Sequence, residues 1–347
     1  MKNPYWSEES KLVNRISKFQ LIQLLLTLSV SISSSNASAG LLSSVKKFLS
    51  KSVNTKNSTY SQPNPSYQFH LKHYFNGKWL EYAVAAKPKT ERFNNHANQT
   101  VQVTPNYLAN SGEDAYMASS HNGKYVFGCA DGVGSWKERG IQTADKIALE
   151  LLNGVQIALK STEPSNQNCS NQTSLDLLQN SHVRLLNGTT EDLNISGSAT
   201  ACVAMLEKDK AKKYRLSVCH VGDSGYMIIR GGQIKRSIPQ YLAEYSGAPL
   251  QVGKISNDHK DTHLREIYNN GELLDLGSCY SYELIKGDLL IIASDGLWDN
   301  LTESEIRLIF DKESKKSTGE LASAFLKAAS ENNRKPDDSA ISVIRLK

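Results

Sequence analysis

IIASDGLWDN, residues 291–300, joins an apolar strand to a sharp turn that presents an aspartate. The strand is predicted over Leu289–Ala293, and Gly296 frees the backbone of the turn that follows. A buried strand that ends in Asp-Gly holds Asp295 rigidly at the edge of a sheet, where a hard cation can use the carboxylate. Asp-Gly is also an ordinary turn dipeptide, so this stretch alone leaves both interpretations open.

The same arrangement recurs along the chain. Two further predicted strands, Tyr125–Ala130 and Tyr214–Val221, also end in an aspartate-bearing turn, and other acids flank strands. Carboxylate, carbonyl and water oxygens suit Mg²⁺ or Mn²⁺, whereas no Cys/His cluster suggests zinc. Converging acids would repel one another without a cation; the alternative is a set of independent surface turns. The acids concerned are Glu113, Asp114, Asp131, Asp223, Asp295, Asp299, Asp337 and Asp338.

The order of strands and helices indicates the fold class. Short turns such as Asn76-Gly77 and Gly231-Gly232 join strand pairs, and helices are inserted between these pairs. This order favours a mostly antiparallel α+β architecture over a series of βαβ units. Residues 87–110 and 239–275 are predicted to be irregular. The predicted helices are Thr143–Leu159, Ser174–Leu186, one that begins at Thr302, and Ser317–Ser330.

Composition limits the class of protein. The 347 residues are 39% hydrophobic and 22% charged, which suits one large globular domain or two small ones. The net charge of +5 is mild and the basic residues are scattered, so we expect no binding to nucleic acid. The five cysteines form no Cys-x-x-Cys pair. We therefore expect unpaired thiols, several of them buried, and no disulfide scaffold.

The first 66 residues differ in character from the rest. Phe19–Ile32 is an apolar run too short for a comfortable membrane span, which needs about 20 residues, and Ala37-Ser38-Ala39 supplies small residues at a cleavage position. This pattern predicts a secretory signal. A short membrane anchor and a mitochondrial presequence are the alternatives, the latter because Ser43–Lys56 is rich in Ser and Lys and lacks acids. We predict a leader over 1–39, a disordered linker over 40–66 and a globular domain over 67–347.

Six motifs occur in a characteristic order along the chain. They are GEDAY (112–116), ADGVGSW (130–136), SGSATA (196–201), VGDSG (221–225), IIASDGLWDN (291–300) and PDD-x-x-x-SV (336–343). In this order they resemble the motifs of the metal-dependent Ser/Thr protein phosphatases of type 2C, the PPM family, over about Ser111–Lys347. Val133 and the segment Gln240–Val252 resemble the branch of that family that includes mitochondrial phosphatases.

The resemblance implies a four-layer sandwich, with two central antiparallel β-sheets flanked by helices and two Mg²⁺ or Mn²⁺ ions at one end. It implies that Asp131 bridges the two ions. The carbonyl group of Gly132 and the carboxylate of Glu113 would serve one ion, and Asp295 and Asp337 the other. Catalysis would depend above all on Asp131 and Asp295, by activating a water molecule between the ions.

The resemblance also assigns roles to the remaining acids. Asp338 is the alternative to Asp337, because the strand that follows is offset by two residues from the family's usual register. Asp114 would hold water molecules around the ions. A weaker site for a third ion would comprise Asp223, Asp295 and Asp299.

Two positions depart from the family pattern. Many members have a histidine after the second Asp-Gly, proposed as a general acid, where this chain has Val133. Many also have an arginine shortly before the first acidic motif, which grips the substrate phosphate. Val103–Ser111 contains neither Arg nor Lys, and Arg92 is distant in sequence. We therefore expect phosphate binding to depend mainly on metal.

These observations favour a metal-dependent phosphatase that acts on phosphoserine and phosphothreonine in proteins. A catalytically weak relative that binds phosphoproteins or a partner, and a phosphatase for small phosphometabolites, are the alternatives. We expect a monomer that touches membrane only through an uncleaved leader. The leader favours the secretory pathway, the mitochondrion is the alternative, and unpaired cysteines would fit a reducing space better.

Overall fold

The computed structural model describes residues 71–89, 100–102, 106–141, 143–161, 173–188, 195–209, 211, 213–242, 247–257, 259–270 and 277–347. The predicted leader and linker lie outside these residues, so both remain predictions. Among the helices that are described, none combines the length and apolar character needed to cross a bilayer.

Fourteen strands and six α-helices are found in this part of the chain. The strands are β1 (Leu71–Asn76), β2 (Leu80–Lys87), β3 (Thr100–Gln102), β4 (Tyr107–Ser111), β5 (Asp114–His121), β6 (Lys124–Gly132), β7 (Gly197–Lys208), β8 (Tyr214–Val221), β9 (Gly225–Arg230), β10 (Gln233–Arg236), β11 (Val252–Lys254), β12 (Ser278–Leu284), β13 (Leu289–Ala293) and β14 (Ser339–Leu346). The helices are α1 (Ala144–Lys160), α2 (Ser174–Asn187), α3 (Thr262–Asn269), α4 (Asp295–Trp298), α5 (Glu303–Glu313) and α6 (Thr318–Asn332), and a 3₁₀ helix spans Gly134–Arg139.

The strands form two sheets. The first has the order β10-β9-β13-β14-β2-β1-β3, and the second has the order β12-β8-β7-β6-β5-β4, with β11 paired to β7. Neighbours are antiparallel except for β1 and β3, which run parallel. The strand β14 lies between β13 and β2 and therefore completes the centre of the first sheet.

The strand β13 shows why the sandwich has four layers. Leu290 and Ile292 join an apolar cluster between the two sheets, which also contains Phe127 of the second sheet. The alternate residues Leu289 and Ile291 join a different cluster, beneath α5 and α6. Both faces of the strand are thus covered, which explains its unbroken apolar sequence. A third cluster packs α1 and α2 on the outer face of the second sheet, so the predicted α+β sandwich is confirmed.

Three expectations were wrong. Residues 87–110 contain β3 and β4, and residues 239–275 contain β11 and α3, although both ranges were predicted to be irregular. The strands are too short to show alternation, and α3 is a polar helix that buries only Leu264 and Tyr268. The expectation of unpaired cysteines failed at Cys219 and Cys279, which face each other on β8 and β12 and form a disulfide. Their partnership joins strands 60 residues apart, and sequence spacing carries no sign of it.

Candidate active site

The ends of β5 and β6 present the first acids of the site. The antiparallel register places Asp114 directly opposite Asp131, so two carboxylates lie side by side at one end of the second sheet. The turn before β5 is held to the end of β6 because the Gly132 amide donates to the Glu113 carbonyl oxygen at 3.1 Å. Strand pairing alone therefore brings the acids of two separate motifs together.

Asp295 comes to the same end from the first sheet. It follows β13 and is the first residue of α4, with Ser294 in an extended conformation at the helix N-cap. The Ser294 hydroxyl donates to Asp114 Oδ2 at 2.6 Å and accepts from the Ala340 amide at 3.1 Å. This single side chain links β13, β14 and β5, which fixes the two sheets relative to each other where the acids meet.

The two aspartates before β14 have different environments. Both carboxylate oxygens of Asp338 accept backbone amides, those of Lys89 at 2.6 Å and Glu113 at 2.8 Å, and the residue is 3% exposed. The Asp337 side chain is 26% exposed, and the ammonium groups of Lys89 and Lys335 lie 3.6 and 3.7 Å from it. Asp338 is therefore committed to holding the backbone, which favours Asp337 as the acid that is open to a ligand.

The cluster is electrostatically strained. Burial raises the pKa of Asp131 well above its usual range, and the charges of Asp114 and Asp295 raise it further. Burial likewise raises the pKa of Asp114, against the hydrogen bond from Ser294. For Asp223, burial and then the charge of Asp295 raise the pKa to about 6. Each shift has the direction expected where buried negative charges are only partly compensated.

Three buried oxygen atoms in the cluster lack a hydrogen-bond partner: Asp114 Oδ1, Asp223 Oδ1 and Asp295 Oδ1. A buried, unpaired carboxylate oxygen is costly unless something outside the chain satisfies it. The oxygen atoms available as metal ligands belong to carboxylates and backbone carbonyl groups, which Mg²⁺ and Mn²⁺ favour. The residues present therefore fit divalent cations.

Lysines lie among these acids in the structure. Lys335 Nζ is 2.6 Å from Asp295 Oδ2 and 2.8 Å from Asp299 Oδ2, while Lys89 and Lys137 both pair with Glu113. Among the described residues, no three acidic, His or Cys side chains are close enough together, as they stand, to enclose one ion. The ammonium groups occupy part of the space between the carboxylates, so a cation would have to displace them.

The structure therefore brings every predicted acid to one end of the sandwich. Sequence reasoning missed Lys89, Lys137 and Lys335. Lys89 follows β2, and it reaches the cluster only because β2 pairs with β14, so no local pattern indicates it. Lys335 could have been noticed, because it directly precedes Pro336 and the Asp-Asp pair.

Two tryptophans fix the acid-bearing turns. Trp136 Nε1 donates to the Ser198 hydroxyl at 2.6 Å, and Trp298 Nε1 donates to the Ala293 carbonyl at 2.9 Å. Both indoles are buried, so their packing and these hydrogen bonds make the turns rigid.

The family model that describes protein phosphatase 2C matches residues 109–331. The chain belongs to this family. Among curated relatives, a Drosophila simulans protein named protein phosphatase PTC7 homolog fig is 30% identical over 206 residues, which are 58% of each chain. A human protein named protein phosphatase PTC7 homolog is 28% identical over 195 residues, which are 55% of this chain and 57% of that one. The chain thus matches less than two thirds of the length of these relatives.

A solved structure supports the fold independently. The photosystem II phosphatase PBCP superposes with a TM-score of 0.51 and 24% sequence identity, covering 70% of this chain and 97% of that one. At this identity the likeness concerns the fold alone. It confirms the two antiparallel sheets flanked by helices that the resemblance implied.

Proposed function

We propose that this member of the protein phosphatase 2C family hydrolyses phosphoserine and phosphothreonine in proteins and depends on Mg²⁺ or Mn²⁺. The observation that carries the proposal is the group of buried carboxylates, from both sheets, whose unpaired oxygen atoms converge at one end of the sandwich. A module that only binds proteins has no need for so many mutually repelling buried acids.

The proposed ligands come from several strand ends. Asp131 would hold two ions together, the Gly132 carbonyl group and Glu113 would complete one of them, and Asp295 and Asp337 the other. When bound, such ions would activate a water molecule and neutralise the charge of the transferring phosphoryl group. The hydrogen bond from the Ser294 hydroxyl to Oδ2 fixes the orientation of the Asp114 carboxylate. Its other oxygen, Oδ1, would therefore orient water molecules around the ions. A weaker site would comprise Asp223, Asp295 and Asp299.

Lys89 and Lys137 are the proposed phosphate-binding side chains in place of the arginine that the family pattern expects. They approach Glu113 from different elements, and their side chains are 42% and 58% exposed, so both ammonium groups can reach a ligand from solvent. They are charges on flexible stems and not a rigid fork, so we expect them to attract phosphate more than to orient it. Val133 offers no proton at the position of the family's histidine, and water would protonate the leaving group.

The test is a hydrolysis assay on the full chain with a phosphothreonine peptide and with p-nitrophenyl phosphate. Each substrate is offered with Mn²⁺, Mg²⁺ or EDTA, to the wild type and to Asp295→Asn. Asp311→Asn, at an exposed position on α5, is the matched control. Metal-dependent turnover of the peptide that Asp295→Asn abolishes and Asp311→Asn retains is the expected result.

Other outcomes of that assay favour other functions. Turnover of p-nitrophenyl phosphate without any preference for the peptide would favour a phosphatase for small phosphometabolites. Metal binding without turnover would favour a binding protein, and Val133→His would then be the first substitution to restore activity. A folded protein that binds no metal would overturn the proposal.

The compartment and the partners are also proposals. We propose a phosphoprotein substrate, a monomer, and the secretory pathway or the mitochondrion as the compartment. The Cys219–Cys279 disulfide fits an oxidising compartment better than unpaired thiols would. Asn300-Leu301-Thr302 has the N-x-S/T pattern of a glycosylation site. A glycan on Asn300 is incompatible with the folded protein, because its Nδ2 is buried and donates to the Gly296 and Lys335 carbonyl oxygens. N-terminal sequencing and a glycosidase mobility shift distinguish the two compartments.

A further inference from the structure

We propose that Lys335 is a tethered counter-cation, which stabilises the acid cluster when no metal is bound and which a divalent ion must displace. The inference rests on the cation site of the proposed function and adds to it a residue that opposes metal binding. Lys335 is a positioning residue in this account, since it acts on the carboxylates and not on the substrate.

The ammonium group of Lys335 is shared by three carboxylates. Its Nζ lies 2.6 Å from Asp295 Oδ2, 2.8 Å from Asp299 Oδ2 and 3.7 Å from Asp337 Oδ2. These acids belong to two separate parts of the chain, the turn after β13 and the segment before β14. A single positive charge therefore reduces the repulsion among three acids across the junction of α4 and β14.

The backbone of Lys335 is anchored by a buried side chain. Asn300 is 3% exposed, and its Oδ1 accepts the Lys335 amide at 3.0 Å while its Nδ2 donates to the Lys335 carbonyl oxygen at 2.8 Å. The same Nδ2 donates to the Gly296 carbonyl oxygen at 3.0 Å, which ties residue 335 to the turn that carries Asp295. Pro336 restricts the backbone on the other side. The backbone position from which the ammonium group extends is thus fixed by the fold.

The pair between Lys327 and Glu331, outside the site, differs from this one. Lys327 faces Glu331 one helical turn away at 3.8 Å, and the two side chains are 48% and 63% exposed. Such surface pairs contribute little to stability. Lys335 is half exposed as well, but its partner Asp295 has a side chain that is 6% exposed, so the contact is screened by water on one side only.

Competition follows from the shared partners. A divalent ion that takes Asp295 and Asp337 as ligands would compete with the ammonium group for the negative charge of both carboxylates, so each weakens the binding of the other by the same factor. Removing the ammonium charge should tighten Mn²⁺ binding about tenfold, within the usual range of coupling between two sites. It should also lower the melting temperature of the metal-free protein by about 3 °C.

The experiment measures Mn²⁺ binding by calorimetry and melting in EDTA, on the full chain, for wild type, Lys335→Gln, Lys335→Met and Lys335→Arg. Lys327→Gln is the matched control for loss of a surface lysine. We expect tighter Mn²⁺ binding and a lower melting temperature in EDTA for the Gln and Met variants, and near wild-type values for Lys335→Arg and Lys327→Gln.

Two results would overturn the inference. One is Mn²⁺ binding by the Gln and Met variants that is unchanged or weaker than that of wild type. The other is a melting temperature in EDTA that does not change in either neutral variant. Failure of the proposed function looks different, because then wild type and all variants bind no Mn²⁺, while a lower melting temperature in EDTA would still support the counter-cation.

Discussion

The two ends of β13 carry buried aspartates that are treated in opposite ways. Asp288, just before the strand, is 1% exposed, and Asp295, just after it, is 5% exposed. Asp288 accepts two hydrogen bonds from Arg230, at 2.8 and 2.5 Å, and one from the Ile285 amide at 2.8 Å. Asp295 has one oxygen on the flexible Lys335 and the other without a partner.

The difference teaches how to tell a structural acid from a functional one at equal burial. Asp288 has a rigid bidentate partner from the neighbouring strand β9, so its desolvation is compensated within the fold. Asp295 has other acids nearby and only a displaceable cation. Burial alone therefore does not mark an acid as a candidate ligand, whereas a buried carboxylate with incomplete compensation is such a candidate.

The largest expected effect is at Asp131, in the acid cluster beside Asp295, where a substitution should change activity and stability in opposite directions. Asp131→Asn should lower kcat about 10⁴-fold, or about 5 kcal/mol, because the bridge between the proposed ions is lost. In EDTA the same variant should be at least as stable as wild type, since one of the repelling charges is gone. Steady-state assays measure the change in kcat, and urea unfolding curves in EDTA measure the change in stability. A loss of several kcal/mol of stability in EDTA would mean that Asp131 is a structural acid like Asp288.

At the other end of β13, where Arg230 pairs with Asp288, a substitution should lower stability whether or not metal is present. Arg230→Met should destabilise the protein by about 4 kcal/mol, because it leaves Asp288 buried without its partner. Urea melts should give the same loss with Mn²⁺ as with EDTA. The double variant Arg230→Met with Asp288→Asn should recover part of the loss, and no recovery would show that the arginine acts through packing instead.

His220 is a buried ionisable side chain that does not belong to the acid cluster, so it shows the effect of burial by itself. Burial lowers its pKa from 6.5 to about 4, so the folded protein keeps the ring neutral while the unfolded chain protonates it. Stability from this group is complete above pH 6.5 and is lost as the pH falls towards 4, by about 3 kcal/mol in total. As the pH falls from 6.5 to 4, wild type should lose about 3 kcal/mol of stability that His220→Leu retains, which unfolding curves of the two proteins at each pH measure. A difference independent of pH would contradict the assignment.

The smallest expected effect is at Lys89, which pairs with Glu113 at the edge of the acid cluster. Lys89→Ala should raise KM for a phosphothreonine peptide about tenfold, or about 1.4 kcal/mol, with kcat changed much less, because it removes a charge that attracts phosphate. Lys160→Ala, at the end of α1, is the control. Equal effects of the two substitutions would show that Lys89 acts only through net charge.

The sequence singled out the acids that the structure brings to one end of the sandwich, because their signal is local. A strand followed by Asp-Gly is visible at Asp131 and Asp295, and the order of motifs indicated the family. The choice between Asp337 and Asp338 stayed open, because it depends on which carboxylate is occupied by the amides of Lys89 and Glu113. Those contacts span more than 200 residues, and no local pattern encodes them.

The parts that were not predicted depend on long-range pairing or on weak local patterns. Cys219 and Cys279 meet because β8 and β12 are neighbours in the sheet. The helix α3 buries two side chains only, and Asp261 caps it by accepting the Leu264 amide. A short helix of this kind is stabilised by its cap and by tertiary packing more than by intrinsic propensity.

The position of β14 has a consequence for synthesis on the ribosome. Its partner β2 emerges about 250 residues earlier, since Lys87 pairs with Ser339. At about 5–20 residues per second, β2 waits roughly 10–50 s with one apolar edge unpaired. The acid cluster is equally incomplete until Asp337 and Asp338 emerge. That edge of β2 is therefore open to wrong pairing during synthesis, and the proposed cation site is complete only after β14 has joined the sheet.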